Sequence, residues 1–257
     1  TGSSLVQVMA LGVRIMAMLL LTLVRTDLIV KWQKSMPADM PNRFAINIQG
    51  DQLPLVKAYF AELGLATPDL YPMVRGRLVA IGDRPVSPAS YEDQRARRLV
   101  EREFNLSWAR ELRPDNRIVA GSWWDPRADD PQFSVEEGIA KTLSIRVGDT
   151  LAWDVGGTRF SARVTSLRKV EWDCFKANFF VIANPGLLER YPASWITSFH
   201  LPSGREEVVN RLVERFPNVS VIDLTAIMGQ VKRISDQVSR AVEFVFLFAI
   251  AAGLVVL

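Results

Sequence analysis

The sequence predicts an α+β fold: a split βαβ, ferredoxin-like unit that is interrupted by a β-rich insert and flanked by helices. Three observations carry this. A strand–helix–strand order early in the polar middle of the chain returns near its end. The residues between the two copies alternate apolar and polar with a period of two. Both chain ends are long apolar runs, while the charges gather between them.

The first apolar run, residues 5–24, holds a single charge, Arg14. Twenty residues of helix rise about 30 Å, one hydrocarbon core. No small-x-small cleavage site follows Val24, which argues against a secretory signal. The last run, residues 245–257, carries no charge and is too short to span by itself. With a first residue other than Met, the chain reads as a fragment of a longer membrane protein. A charge at the depth of Arg14 is costly. It either contacts protein or water, or snorkels towards an interface. Glu243, at the edge of its apolar run, is a second candidate polar contact in the membrane.

Both runs extend into polar segments without a helix break. Leu224, Ile227, Met228, Val231, Ile234 and Val238 recur three or four residues apart, the pattern of an amphipathic, coiled-coil-like stalk. Leu28, Ile29, Trp32 and Met36 repeat that spacing after the first run. Leu224, Ile227, Val231, Ile234 and Val238 are the candidate coupling positions, the alternative being an ordinary surface helix.

In the polar middle, residues 44–48 read as a strand. Asp51 is the expected cap of a helix that buries Val56, Tyr59 and Phe60, and residues 70–81 are the next strand. Late in the chain, residues 195–201 look extended. Ser203 and Glu206 have the spacing of a capping box for a helix burying Val208, Leu212 and Phe216, and residues 219–222 close the unit. Two such β-α-β units suggest the ferredoxin-like sheet. In the insert, Ser134 and Glu137 form a second expected capping box. Leu151, Trp153 and Val155 alternate before the Gly156-Gly157 turn, and Phe160, Ala162 and Val164 alternate after it. Residues 179–183 are one more strand, and the charge-dense stretch 93–103 is expected to be a solvated surface segment.

The chain therefore divides into a transmembrane helix at 1–26, a stalk at 27–43 and a split α/β subdomain at 44–90 and 195–222. A β-rich insert fills 91–194. A stalk helix at 223–243 leads to the start of a second transmembrane helix at 244–257.

Several function classes fall away. The 31 Lys and Arg against 28 Asp and Glu, a net charge of +3 over 257 residues, leave no nucleic-acid footprint. One cysteine, Cys174, excludes an intrachain disulfide and a structural zinc cluster. One histidine, His200, excludes a two-histidine metal site, and its place on a strand suits a structural role. No phosphate-binding loop, dinucleotide fingerprint or nucleophile elbow is present, so no catalytic residue, cofactor or metal is assigned. Trp123 and Trp124, between Gly121 and Pro126, are a candidate aromatic platform for a lipid or hydrophobic ligand, or else packing between subdomains.

The order of membrane helix, stalk, split α/β unit, β-rich insert, stalk and membrane helix resembles the FtsX-like ABC transporter permease family with a MacB-type periplasmic core domain. Residues 134–151, a short helix followed by Gly148-Asp149-Thr150 and a strand, resemble the family's passage into its second subdomain. Residues 41–48 and 121–124 look closest to the YbbP-type bacterial permeases. The resemblance implies a multi-pass protein of the bacterial inner membrane whose bulk here is periplasmic. The split unit would be the porter-type subdomain and the insert the sabre-type one. It implies a non-enzymatic transport subunit partnered by a separate cytoplasmic ABC ATPase, with a periplasmic hydrolase or other periplasmic protein as a further partner. Such a subunit would transmit motion for export or extraction of hydrophobic or lipid-like compounds. A membrane-anchored periplasmic sensor or adaptor that binds a protein partner without transport is the alternative, since fold does not fix function.

Overall fold

A computed structural model describes Gly12, Met16, residues 39–125, Arg127 and residues 130–255. Apart from Gly12 and Met16, the expected first span, Arg14 included, and its stalk as far as residue 38 fall outside these. The chain forms two compact units, Pro41–Ile222 and the pair Thr1–Met40 with Asp223–Leu257.

The elements run β1 (Arg43–Ile48), α1 (Leu53–Glu62), β2 (Tyr71–Ile81), β3 (Arg84–Pro85), α2 (Gln94–Glu101), β4 (Phe104–Trp108), β5 (Asn116–Gly121), β6 (Gln132–Glu136), α3 (Glu137–Leu143), β7 (Thr150–Val155), β8 (Thr158–Val170), β9 (Val181–Ala183), β10 (Ser194–Phe199), α4 (Glu206–Arg215), β11 (Ser220–Asp223) and α5 (Leu224–Val255).

Early and late strands meet in the order β11-β1-β10-β2, with β10 antiparallel to both β1 and β2. The helices α1 and α4 supply the apolar residues that cover this sheet. Val56, Tyr59 and Phe60 pack with Val208, Leu212 and Phe216 over Ala45, Ile48 and Phe199. The buried Tyr59 hydroxyl donates to the Val208 carbonyl at 2.7 Å, tying the helices together. Burial raises the Tyr59 pKa, which keeps the hydroxyl protonated as a donor. Asn47 is left-handed (φ 64°), and the β1–β10 register shifts between Ala45 and Ile48. An amide exchange holds this bulge: Asn47 Nδ2 donates to the Asn218 carbonyl and Asn218 Nδ2 to the Asn47 carbonyl, both at 2.8 Å.

The middle of the chain closes on itself. Following the pairings, β2 joins β4, then β9, β6, β8 and β7, and β7 returns to β2. A ring of six strands results, with Trp153, Phe133, Leu78, Leu106 and Leu151 fully buried in its core. The strand β2 belongs to both parts, pairing with β10 through Tyr71–Met73 and with β4 and β7 beyond. Gly76 sits at the crossing, where a Cβ would come within 2.9 Å of Leu106. The Gly156-Gly157 turn between β7 and β8 is as expected, both glycines having positive φ. The edge strand β5 pairs with β8 and carries a register shift between Ile118 and Ala120, a common guard on an open edge.

Local expectations are corrected at four places. Asp51 does not cap α1: a one-turn 3-10 helix, Gly50–Gln52, precedes it, and Gln49 and Gln52 close a box there. Ser134 caps nothing, because it lies inside β6; the Glu136 carboxylate caps α3 by accepting from Ile139 N–H at 2.8 Å. Ser203 makes no cap either, and α4 starts after Arg205 without a side-chain cap. The charged stretch 93–103 is no wholly solvated segment. Asp93 caps α2, whose Ala96, Leu99 and Val100 are buried against the ring, because apolar residues three and four apart share one face however many arginines flank them.

In the other unit, α5 is unbroken for 32 residues, about 48 Å at 1.5 Å per residue. The Asp223 carboxylate caps it, accepting from Ala226 N–H at 3.1 Å. Among the described residues no helix is long and apolar enough to cross a membrane.

Candidate functional site

The polar and aromatic side chains of the Pro41–Ile222 unit converge where the sheet and the ring share β2. The strand β8 explains the centre of this region. Its inward residues alternate as Ala162, Val164, Ser166, Arg168 and Val170, so the parity that packs the ring also buries an arginine completely. The Arg168 guanidinium satisfies itself three ways. Its Nε donates to Asn116 Oδ1 at 2.9 Å, Nη1 to the Ser134 carbonyl at 2.5 Å, and Nη2 to the Phe179 carbonyl. Burial pulls its pKa down to about 9, with Glu136 acting against the shift, so the side chain stays charged at neutral pH.

The network runs outwards from Asn116. Asn116 Nδ2 donates to Asn178 Oδ1 at 3.0 Å, and Asn178 Nδ2 to Asp115 Oδ2 at 2.6 Å. Asp115 is gripped by Arg113 through two bonds of 3.1 Å. A third Arg113 nitrogen donates to the Ala177 carbonyl, and the guanidinium lies over the Tyr71 ring, 4.1 Å from its centroid. Burial pushes the Tyr71 hydroxyl up to about 12, so it remains a donor to Asp69 at 3.3 Å. Beside this lies a small apolar cluster of Met73, Trp124, Phe179 and Ile182, with Trp123, Tyr71 and Ile196 against it. It draws on β2, β9, β10 and the segment after β5, and so stitches sheet to ring.

Trp123 and Trp124 sit here with ring centroids 3.8 Å apart. Both indole N–H groups donate to the Arg110 carbonyl, at 3.1 and 3.2 Å. Trp124 is buried and Trp123 partly exposed. Gly121 sets their position: its φ is 72°, and a Cβ there would lie 2.1 Å from the Thr165 carbonyl oxygen. The remaining expected positions are on α5. Leu224 is half-buried, Ile227, Ile234 and Val238 are exposed, and Val231 and Glu243 also belong to this helix.

The groups at the junction hold one another in place through hydrogen bonds and ion pairs. Cys174 donates to the Glu171 carbonyl at 2.9 Å. Among the described residues no three His, Cys, Asp or Glu side chains are grouped to hold a metal. Sequence reading missed Arg168 and Asp115. The signal for Arg168 was present, since the alternation from Phe160 through Val164 runs on to it with the same parity. Asp115 lies in a loop and offers no such pattern.

No family model matches the chain. Over 256 residues, 99% of its length, it is 40% identical to the uncharacterized ABC transporter permease YbbP of Escherichia coli (strain K12), and it spans 30% of that protein's length. A crystal structure of a domain assigned to a permease protein from Porphyromonas gingivalis aligns over 70% of this chain and 88% of its own, at 9% identity and a TM-score of 0.33, which is too low to argue a shared fold. The likeness to YbbP-type permeases read from the sequence therefore holds: nearly the whole chain is similar to part of an ABC transporter permease.

Proposed function

We propose that the chain is the periplasmic core, with flanking helices, of an ABC transporter permease subunit in a bacterial inner membrane. In this reading a separate cytoplasmic ATPase subunit binds and hydrolyses ATP. The chain passes the resulting motion to the periplasm, for export or extraction of hydrophobic or lipid-like compounds, with a periplasmic hydrolase or other periplasmic protein as a further partner. The sheet of β11, β1, β10 and β2 with α1 and α4 is the split βαβ, porter-like subdomain, and the sabre-like insert supplies the other five strands of the ring that closes on β2. Arg14 and Glu243 are polar contacts within the membrane, and Trp123 and Trp124 a hydrophobic platform.

The observation that supports this reading most is α5. It begins at the residue after β11 ends and runs unbroken through the coupling positions Leu224, Ile227, Val231, Ile234 and Val238 into the apolar run beyond Glu243. A continuous helix is a stiff connection, whereas a loop would absorb motion. Proline inside a helix costs about 3 kcal/mol, removes a hydrogen bond and kinks the rod. Ile234→Pro in the complete transporter should therefore uncouple ATP hydrolysis from export while the protein still reaches the membrane and assembles. ATPase rate and cargo efflux, measured together at matched expression, test this. Unchanged efflux would make the helix a tether and favour the sensor or adaptor role.

A further inference from the structure

A cavity of the Pro41–Ile222 unit lies away from the junction, at the end of the ring where the β7–β8 turn meets the loop after β9. It has a volume of about 640 Å³, within the range of pockets that enclose small organic molecules. Its floor is apolar: Val155 and Leu187 are buried core residues that also line the cavity. One wall is aromatic, with the Phe160 and Tyr191 rings tilted against each other and their centroids 4.8 Å apart. Phe160 pairs across the strands with Trp153 and lies 6.5 Å from Phe133, so the wall continues into the closed core and is held from behind.

The charge on the rim is of one kind. Arg159 and Arg190 line the cavity, and no acidic residue does. Arg190 makes one weak bond, 3.4 Å to the Gly186 carbonyl, and pairs with no carboxylate among the described residues. Arg159 is 3.8 Å from Asp154, with its side chain 76% exposed, a loose surface pair worth little. Two available guanidinium groups above an apolar, aromatic floor are complementary to a molecule with an apolar body and one acidic head. An uncharged hydrophobe would offer the two arginines no anion. A small inorganic anion would leave the floor wet.

We infer that this cavity at the mouth of the ring binds an amphipathic carboxylate, with its apolar body on Val155, Phe160, Leu187 and Tyr191 and its head between Arg159 and Arg190. The inference deepens the transport reading by giving the cargo class a charge and a place. Binding is measured without ATPase or efflux, so the two can fail separately.

The full chain in lipid nanodiscs is titrated with cis-parinaric acid and, separately, with its methyl ester, and the signal of empty nanodiscs is subtracted. The chain should bind the acid about tenfold more tightly than the ester, equivalent to about 1.4 kcal/mol. The double variant Arg159→Gln/Arg190→Gln should lose that preference and still bind the ester. Thr158→Trp, at the exposed first position of β8 lining the cavity, should block both ligands by filling it. Arg117→Gln removes an exposed charge on β5, outside the cavity lining, and should change nothing. Equal affinity for acid and ester, binding that survives Thr158→Trp, or an acid preference that survives loss of both arginines would each overturn the inference. Acid binding with this pattern in a chain that supports no efflux would uphold the site and count against the transport reading alone.

Discussion

Replacing Arg168 by Met asks what the buried guanidinium contributes. Met has nearly the reach and none of the donors. The change strips a partner from Asn116 Oδ1 and from the carbonyls of Ser134 and Phe179. Hydrogen bonds from a charged donor contribute about 1.5–3 kcal/mol each. Against this stands the recovered cost of holding a charge in a site with no exposure. Breaking such a buried polar set by removing one member typically costs about 3–5 kcal/mol, and we expect about 3, because the Asn116 amide can turn and keep its bond to Asn178. The 41–222 unit contains several tryptophans, so urea unfolding followed by fluorescence is a direct assay. With a urea dependence of about 2 kcal/mol per molar, the midpoint should fall by about 1.5 M. Arg168→Lys keeps the charge but cannot reach three acceptors in fork geometry, and should recover less than half of the loss. A Met variant with a midpoint within about 0.3 M of the parent would refute the argument that the network anchors the junction.

Gly121→Ala should destabilise the same unit by more than about 3 kcal/mol, because a left-handed backbone and a collision with Thr165 coincide there; a thermal-melt shift under about 3 °C would contradict this. Tyr71 has a folded pKa near 12, above its ordinary value of 10. Its stabilising effect is therefore complete below pH 10 and lost as pH rises through 12. Tyr71→Phe should remove that part of the alkaline decline, as read from unfolding midpoints of both proteins across this window. A reporter fused near Asp129 should be active only in the periplasm, and cytoplasmic activity there would reverse the proposed topology. The purified 27–240 segment should bind no ATP, since no phosphate-cradling loop is present, and a nucleotide-dependent shift in melting would count against the division of labour with a separate ATPase.

The strands and helices of the split sheet were legible because each buries one face, and periodicity reports burial. Tyr59, Phe60 and Val208 announce themselves by spacing alone. The ring was legible only as a β-rich region. Its closure depends on β4, β6 and β9, which are short and covered on several sides, so alternation in them is faint. Ser134 illustrates a different limit: the Ser-x-x-Glu pattern was real, but a strand running to Glu136 claimed those residues first. Helix caps depend on where the neighbouring element stops, which local sequence does not encode. Arg168 was hidden by its chemistry, since an arginine is read as solvated unless strand parity is followed past the last apolar residue. The cavity at the mouth of the ring was invisible for another reason. Gly156, Phe160 and Tyr191 are brought together by a turn and a loop about thirty residues apart in the chain.

The pairing of β1 with β10 has a consequence for how the chain becomes a protein. Arg43 finds its partner Phe199 only after the whole insert has been made. The ring, too, stays open until β9 arrives, with β4 lacking its parallel neighbour. Contacts of such sequence separation form slowly, because loop closure must precede any stabilising contact. Until residue 183 or so emerges, β4 and β6 lack the strand that joins them, and their open edges are prone to wrong pairing. A chain with this strand order favours delivery in one continuous passage, and a pause after β8 should be the most hazardous moment of its synthesis.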